Sequence, residues 1–426
     1  MKSDYKLFMN NRFTLKNRFF DISSEMGLSE DFDFNNLPDC GYIKKSNGDY
    51  TLFGSSGKKI FMNIEKKVKP VNSDLFLKYG RHRDFPIIMN FQPSESHQKM
   101  KRDFDNFLRL ITPKFQQYLS ISVPEYFENK LKNGKAIDLY QDLLEFIISS
   151  QFKFFFNYDL SKEQLKALCF FEDYFAFGLY IDTLDLLDCY YSHDSFINSF
   201  RVYNQIKNKI FENSEKTEFT NFINELKNKN YSDNEISDQF YNVSLGGGST
   251  NIAKLFVYLN SLLSEENLYE VVFESINDKF SKEKISGLLI KELYRFIPFI
   301  YNQVVPPYIL REAFEDVRLN QSDTIFKGQK VMFFHLFENI DSKLENPLRF
   351  NPFRDYSRIK RSYLKTFGLG SHFCCGLELS NTWLHYLVCS QLNSKIKFKS
   401  EFGISFETYN EKLKQIQKTK YITDIQ

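Results

Sequence analysis

Residues 367–376 read FGLGSHFCCG, two adjacent cysteines in a glycine-rich loop beside a histidine. Three chemistries suit them: a buried pair of small apolar residues, a redox pair, or a place where one thiolate holds a metal. Adjacency alone does not supply ordinary disulfide geometry. The stretch beginning CGLELSNTWLHYLVCSQL reads as a helix, and a helix start favours the negative charge of a thiolate placed on it. Two further groups of residues stand out. Glu292 and Arg295 lie three apart in a helix-patterned stretch and share a face. That spacing by itself describes an ordinary exposed ion pair of little energetic weight. A buried pair would need more polar partners, and Arg354 is a candidate third member. The run GGGST at 246–250 sets three glycines inside a helical pattern, where each costs roughly 0.5–1 kcal/mol relative to Ala. A plain helix break, a close ligand approach, or a local departure from helix geometry with hydroxyls bonding earlier carbonyls each accounts for it.

The elements that must position these residues change character along the chain. GDYTLFG and KKIFMNI near the N-terminus read as strands of a small sheet. From Glu95 the stretches HQKMKRDFDNFLRLI, SVPEYFENKLK, DLYQDLLEFIISSQFKFFF and SKEQLKALCFFEDYFAFGLY carry the apolar recurrence of packed helices. Residues 191–230 predict a helix pair, and 235–262 a long helix with GGGST at its middle. SKEKISGLLIKELYRFIPF is again helical and ends near Pro298. Short strands are expected in VVPPYILREAFEDVRLNQ and KGQKVMFF, and a turn-rich coil in ENPLRFNPFRDYSRIKR. No low-complexity linker divides the chain, so the economical reading is a single domain over 1–426, mainly α with a minor β-sheet subdomain.

With 56 Lys plus Arg against 54 Asp plus Glu and a formal charge of +2, the chain gives no general electrostatic argument for nucleic-acid binding. Six cysteines without CxxC spacing suit a reducing, cytoplasmic setting rather than a disulfide-dense secreted one. The opening residues predict neither a signal peptide nor a spanning helix, hence no membrane anchor. The 47 Phe and 25 Tyr are read as core filling for the most part, with some left to line an apolar cavity.

Taken in order, these pieces resemble the cytochrome P450 family, in its soluble bacterial type, across roughly residues 75–400. FGLGSHFCCG fits the family's FxxGxxxCxG loop, ELYR its ExxR helix, and FNPFR its FxPxR segment. The resemblance implies the cytochrome P450 fold, with the thiolate loop and following helix within 357–400. It makes Cys374 the proximal iron ligand of haem b, with Phe367, Gly368, Gly370 and Gly376 shaping the loop. Glu292, Arg295 and Arg354 become a scaffold network. ESHQKMK looks like the helix-C segment, assigning His97 and, in place of the usual Arg, Lys101 to the haem carboxylates together with Arg311 and His372. GGGST corresponds to the oxygen-activation segment, placing Thr250 at its hydroxyl position and Ser249 where an acid is common. A serine cannot act as an ordinary carboxylic acid near neutral pH.

The same resemblance implies a monooxygenase oxidising a small or medium-sized lipophilic substrate, of the kind found in secondary metabolism. It also implies a monomer with a ferredoxin or flavodoxin and an external reductase as partners. The basic cluster SRIKR at 357–361 with Lys365 is a docking face or a solvated turn. Val243, Gly246, Gly247, Val304 and Val305 are the expected pocket positions, alongside the region before helix C and the helices around 172–205. Because Ser249 departs from the pattern, oxidative coupling, desaturation and peroxide-dependent oxidation stand as alternatives, and a haem-binding or sensory protein without turnover as a further one.

Overall fold

The computed structural model describes residues 40–71, 73–89, 94–131, 136–137, 139–178, 184–213, 217–246, 248–265, 267–278, 280–300, 308–334, 350–356, 367–400 and 421–424. In chain order the first elements are β1 (Tyr42–Lys44), β2 (Tyr50–Phe53), α1 (Gly54–Ile64), β3 (Val68–Pro70), α2 (Ser73–His82) and α3 (Ser94–Tyr126). Then come β4 (Ala136–Ile137), α4 (Leu139–Phe156), α5 (Lys162–Gly178), α6 (Leu184–Tyr191), α7 (Asp194–Glu212) and α8 (Glu218–Asn228). They are followed by α9 (Asp233–Ser244), α10 (Ser249–Glu265), α11 (Leu268–Asp278) and α12 (Lys282–Ile300). The remainder comprises β5 (Tyr308–Ala313), β6 (Val317–Arg318), β7 (Thr324–Ile325), β8 (Lys330–Phe334), α13 (Leu377–Ser394), β9 (Lys397–Ser400) and β10 (Tyr421–Asp424).

The chain divides into two compact units. The first takes its described residues from 40–71 and 291–373, and is built on a sheet of order β1-β2-β8-β5-β3. Only the β2–β8 pair is parallel; the others are antiparallel. Its core joins Tyr50, Leu52, Val68, Ile309, Val331 and Phe333 of the sheet to Phe61 and Ile64 of α1. KKIFMNI is therefore helix, not the strand its apolar content predicts. Gly54 at φ +62° turns the chain out of β2, and Gly57, Phe61 and Ile64 then fall on one buried face at helical spacing.

The second unit takes its described residues from 73–290, 374–400 and 421–424, and is almost wholly helical, with the short sheet β4-β10-β9. Its helices start on recognisable caps: Ser161 and Gln164 bond reciprocally ahead of α5, and Ser232 and Glu235 form a capping box ahead of α9. Aromatic side chains fill the interior. Phe85 is ringed by Tyr79, Phe175, Tyr191, Phe196 and Phe200, and the only tryptophan, Trp383 of α13, is fully buried with Phe115 and Phe146 set edge-on to it. Asp238 of α9, 1% exposed, accepts from both Arg81 terminal nitrogens at 3.0 and 2.5 Å and from the Ile87 amide. That bond set ties the loop before α3 to α9.

The expected long helix over 235–262 is instead two helices, α9 and α10, parted at 245–248. Leu245 and Gly246 amides both turn back to the Tyr241 carbonyl, and Gly248 takes φ +88°. A side chain at Gly246 would put its Cβ 2.9 Å from the Tyr241 ring, so this glycine is needed for a close approach within the chain. Among the described residues no helix is long and apolar enough to cross a membrane.

Candidate active site

The cysteine loop is supported from within the first unit up to Phe373. Phe367 sets its ring edge-on to Tyr294, the third residue of ELYR, at 4.7 Å. Gly368 and Gly370 both have positive φ, and a short 3₁₀ turn, Gly370–His372, closes with the Phe373 amide on the Gly370 carbonyl. The Glu65 carboxylate lies directly against Gly370 and accepts from the Ser371 amide. Glu65 was not signalled by any sequence motif; a carboxylate bonded to a backbone amide 306 residues away leaves no local pattern.

From Cys374 onward the loop belongs to the second unit. The Cys374 side chain is open to solvent, yet the protein surrounds it densely enough that lost hydration is the first cause raising its thiol pKa. Against that loss work the backbone amides of Gly376 and Leu377 and the Lys101 ammonium, all of which favour the thiolate. Cys375 faces elsewhere: its sulfur lies 3.9 Å from Met89 Sδ, and burial, with Asp105 nearby, pushes its pKa far up. All six cysteines are free. The Lys101 ammonium favours the anion at both cysteines, and the Gly376 and Leu377 amides favour it at Cys374.

The ion pair on α12 is not an exposed one. Glu292 and Arg295 are both at 0% exposure. Arg295 donates through Nε at 2.8 Å and Nη2 at 2.6 Å, while the Asn351 amide at 2.9 Å, Arg354 Nε at 3.4 Å and the Tyr356 hydroxyl complete the acceptor set of Glu292. Burial opposes the Arg295 cation, and the Glu292 carboxylate more than offsets it. ELYR and FNPFR therefore meet around one carboxylate, with Tyr356 as a member the spacing did not indicate.

The remaining predicted residues fall as follows. His97 on α3 is buried and bonds the Met89 carbonyl at 2.9 Å through Nδ1; a carbonyl only accepts, so Nδ1 carries the proton. Arg311 on β5 donates to the Leu310 carbonyl, and burial brings its pKa down to about 10 against the opposing pull of Glu65. Thr250 and Ser249 open α10, both buried, and Ser249 Oγ donates to Gln151 Oε1 at 2.7 Å. Val243 is buried on α9. Gly247, Val304, Val305 and the basic residues 357–361 and 365 lie outside the described residues.

No protein-family model matches the chain. Two curated proteins of Dictyostelium discoideum do. It is 24% identical over 313 residues to probable cytochrome P450 508A2, covering 64% of this chain and 63% of that one. It is 27% identical over 305 residues to probable cytochrome P450 516A1, covering 61% of each. The chain thus spans just over three-fifths of the length of these relatives. In architecture it matches a mutant form of cytochrome P450SP alpha with a TM-score of 0.60, over 85% of this chain and 87% of the other, at 13% identity. The chain is similar in sequence to two probable cytochromes P450 and shares the cytochrome P450 fold. Proteins of that fold family hold a haem on a cysteine thiolate. The residues present fit that group. One soft sulfur with two amides and an ammonium around it suits thiolate ligation, and a side chain at Gly368 would meet the His372 carbonyl at 3.0 Å, crowding the loop that carries it.

Proposed function

We propose that this protein is a haem-thiolate monooxygenase of the cytochrome P450 family acting on a small or medium-sized lipophilic substrate, with dioxygen and electrons from an acidic ferredoxin or flavodoxin and an external reductase. The observation carrying this reading is Cys374, a thiol with the Gly376 and Leu377 amides and Lys101 favouring its anion. Bound there, haem b supplies one-electron and dioxygen chemistry. The chain's own residues do the rest. Cys374 holds the iron. His97, Lys101, Arg311 and His372 are the cations and donors assigned to the haem carboxylates. Glu292, Arg295, Arg354 and Tyr356 hold the loop scaffold rigid, and Thr250 offers a hydroxyl at the break between α9 and α10 where a proton can be passed.

The expected result is a red-shifted Soret band when the haem-loaded protein is reduced under carbon monoxide, lost in Cys374→Ala. A haem-loaded parent without that band would overturn thiolate ligation and leave a haem-binding protein. A second reading, peroxide-dependent oxidation, coupling or desaturation, is favoured by the commitment of Ser249 to Gln151. Product analysis with electron-delivery proteins against peroxide separates the two.

A further inference from the structure

The position where this family commonly carries an acid is Ser249, whose hydroxyl is turned to Gln151 on α4. A carboxyl group nevertheless stands beside the next residue. Glu172 of α5 is 3% exposed and accepts from the Tyr241 hydroxyl at 3.1 Å, and the Thr250 hydroxyl is among the neighbours that favour its ionised form. Gly246 provides the space for this arrangement, since a Cβ there would strike the same Tyr241 ring. Resting on the monooxygenase reading, we propose that Glu172 is the acid of this P450's proton path, supplying through the Thr250 hydroxyl the protons that dioxygen reduction consumes.

The surroundings suit a group that must hold a proton and then part with it. Burial is the leading cause that pushes the Glu172 pKa up to about 8, and Asp173 adds to it; Tyr241, Lys254 and Thr250 oppose. The other titratable groups that sense Glu172 are Tyr203 of α7 and Cys169 of α5, both held neutral by burial. Near neutral pH the carboxyl is protonated, with one oxygen accepting from Tyr241 and the other able to donate to Thr250 Oγ. In each cycle one O–H bond breaks at Glu172 and one forms at Thr250, whose own proton moves on. The carboxylate left behind sits by Tyr241 and Lys254. Lys254 pairs at 3.6 Å with Asp173, a half-exposed side chain through which water returns the proton. Glu172 acts through Thr250 and is a positioning and proton-holding residue.

The test uses haem-loaded protein. Infrared difference spectra of parent against Glu172→Gln should show a protonated carboxyl stretch that titrates away around pH 8. Tyr241→Phe, which removes a bond lowering that pKa, should move the midpoint upward. Reduced by a surrogate ferredoxin and its reductase, Glu172→Gln should slow dioxygen uptake about 10²-fold, the lower end for a lost general acid. It should also raise the peroxide released per dioxygen consumed, and add nothing to Thr250→Ala. A carboxyl already ionised at neutral pH, unchanged uptake in Glu172→Gln, or full additivity with Thr250→Ala would overturn the proposal alone. A parent that gives the thiolate Soret band but takes up no dioxygen would overturn the monooxygenase reading, and this one with it.

Discussion

Replacing Glu292 by Gln keeps the side chain's shape and removes only its charge and half its acceptor capacity. In the native protein its Oε1 accepts from Arg295 Nη2, the Asn351 amide and Arg354 Nε, and its Oε2 from Arg295 Nε and the Tyr356 hydroxyl. An amide must turn its NH₂ toward one of these sets. Turned toward Oε2 it faces the Arg295 Nε–H, donor against donor, while Tyr356 can rotate to accept. Arg295 stays at 0% exposure while the Glu292 charge that it bonds through two nitrogens is gone. Breaking one member of a buried pair costs about 3–5 kcal/mol, a large part of the 5–15 kcal/mol that holds a typical domain folded. For a chain of 426 residues the thermal midpoint should fall by about 3–6 °C. Haem-loaded parent and variant would be followed by circular dichroism and Soret absorbance. Adding Arg295→Met should recover part of the loss, because an apolar side chain does not need the missing charge. A midpoint within about 1 °C of the parent, equivalent to about 1 kcal/mol or less, would refute the claim that the carboxylate organises this region.

Gly370→Ala places a Cβ against the Glu65 carboxylate at φ +64°, so it should cost about 2 kcal/mol or more and lower haem occupancy; full occupancy in the purified variant would contradict the packing described. Asp238→Asn removes the carboxylate that Arg81 grips with two nitrogens, with an expected loss of about 2 kcal/mol read from denaturant midpoints. The raised Glu172 pKa also has a stability signature. Between 4.5 and about 8 the native carboxyl is protonated and the unfolded one ionised. The folded state therefore binds more protons, and its stability falls as pH rises through that window and levels off above it. The full span is on the order of 5 kcal/mol. Glu172→Gln should abolish that part of the slope, and parallel stability–pH curves for parent and variant would show that the carboxyl is not protonated in the native protein.

The Glu172 stripe shows what a sequence holds without announcing. Leu168, Phe171, Glu172 and Phe175 follow the i, i+3, i+4, i+7 spacing and all four are buried, so an acid inside an apolar stripe was a readable signal. What the spacing does not contain is the partner, since Tyr241 and Thr250 lie on other helices. GGGST likewise signalled a departure from regular helix, but the break at 245–248 depends on the Tyr241 ring pressing on Gly246, a contact that composition cannot rank against an intact helix.

The amino-acid sequence by itself determined the fold class and the helical character of 95–300, because these rest on local spacing and on glycines the backbone requires. Tertiary structure alone decided that Glu292 and Arg295 are buried rather than exposed, that the Gly376 and Leu377 amides favour the Cys374 anion, and that Glu65 and Glu172 stand where they do. Burial, desolvation and donor geometry belong to the packed three-dimensional surroundings of a group. Two carboxylates identical in sequence context acquire different chemistry only when other elements close around them.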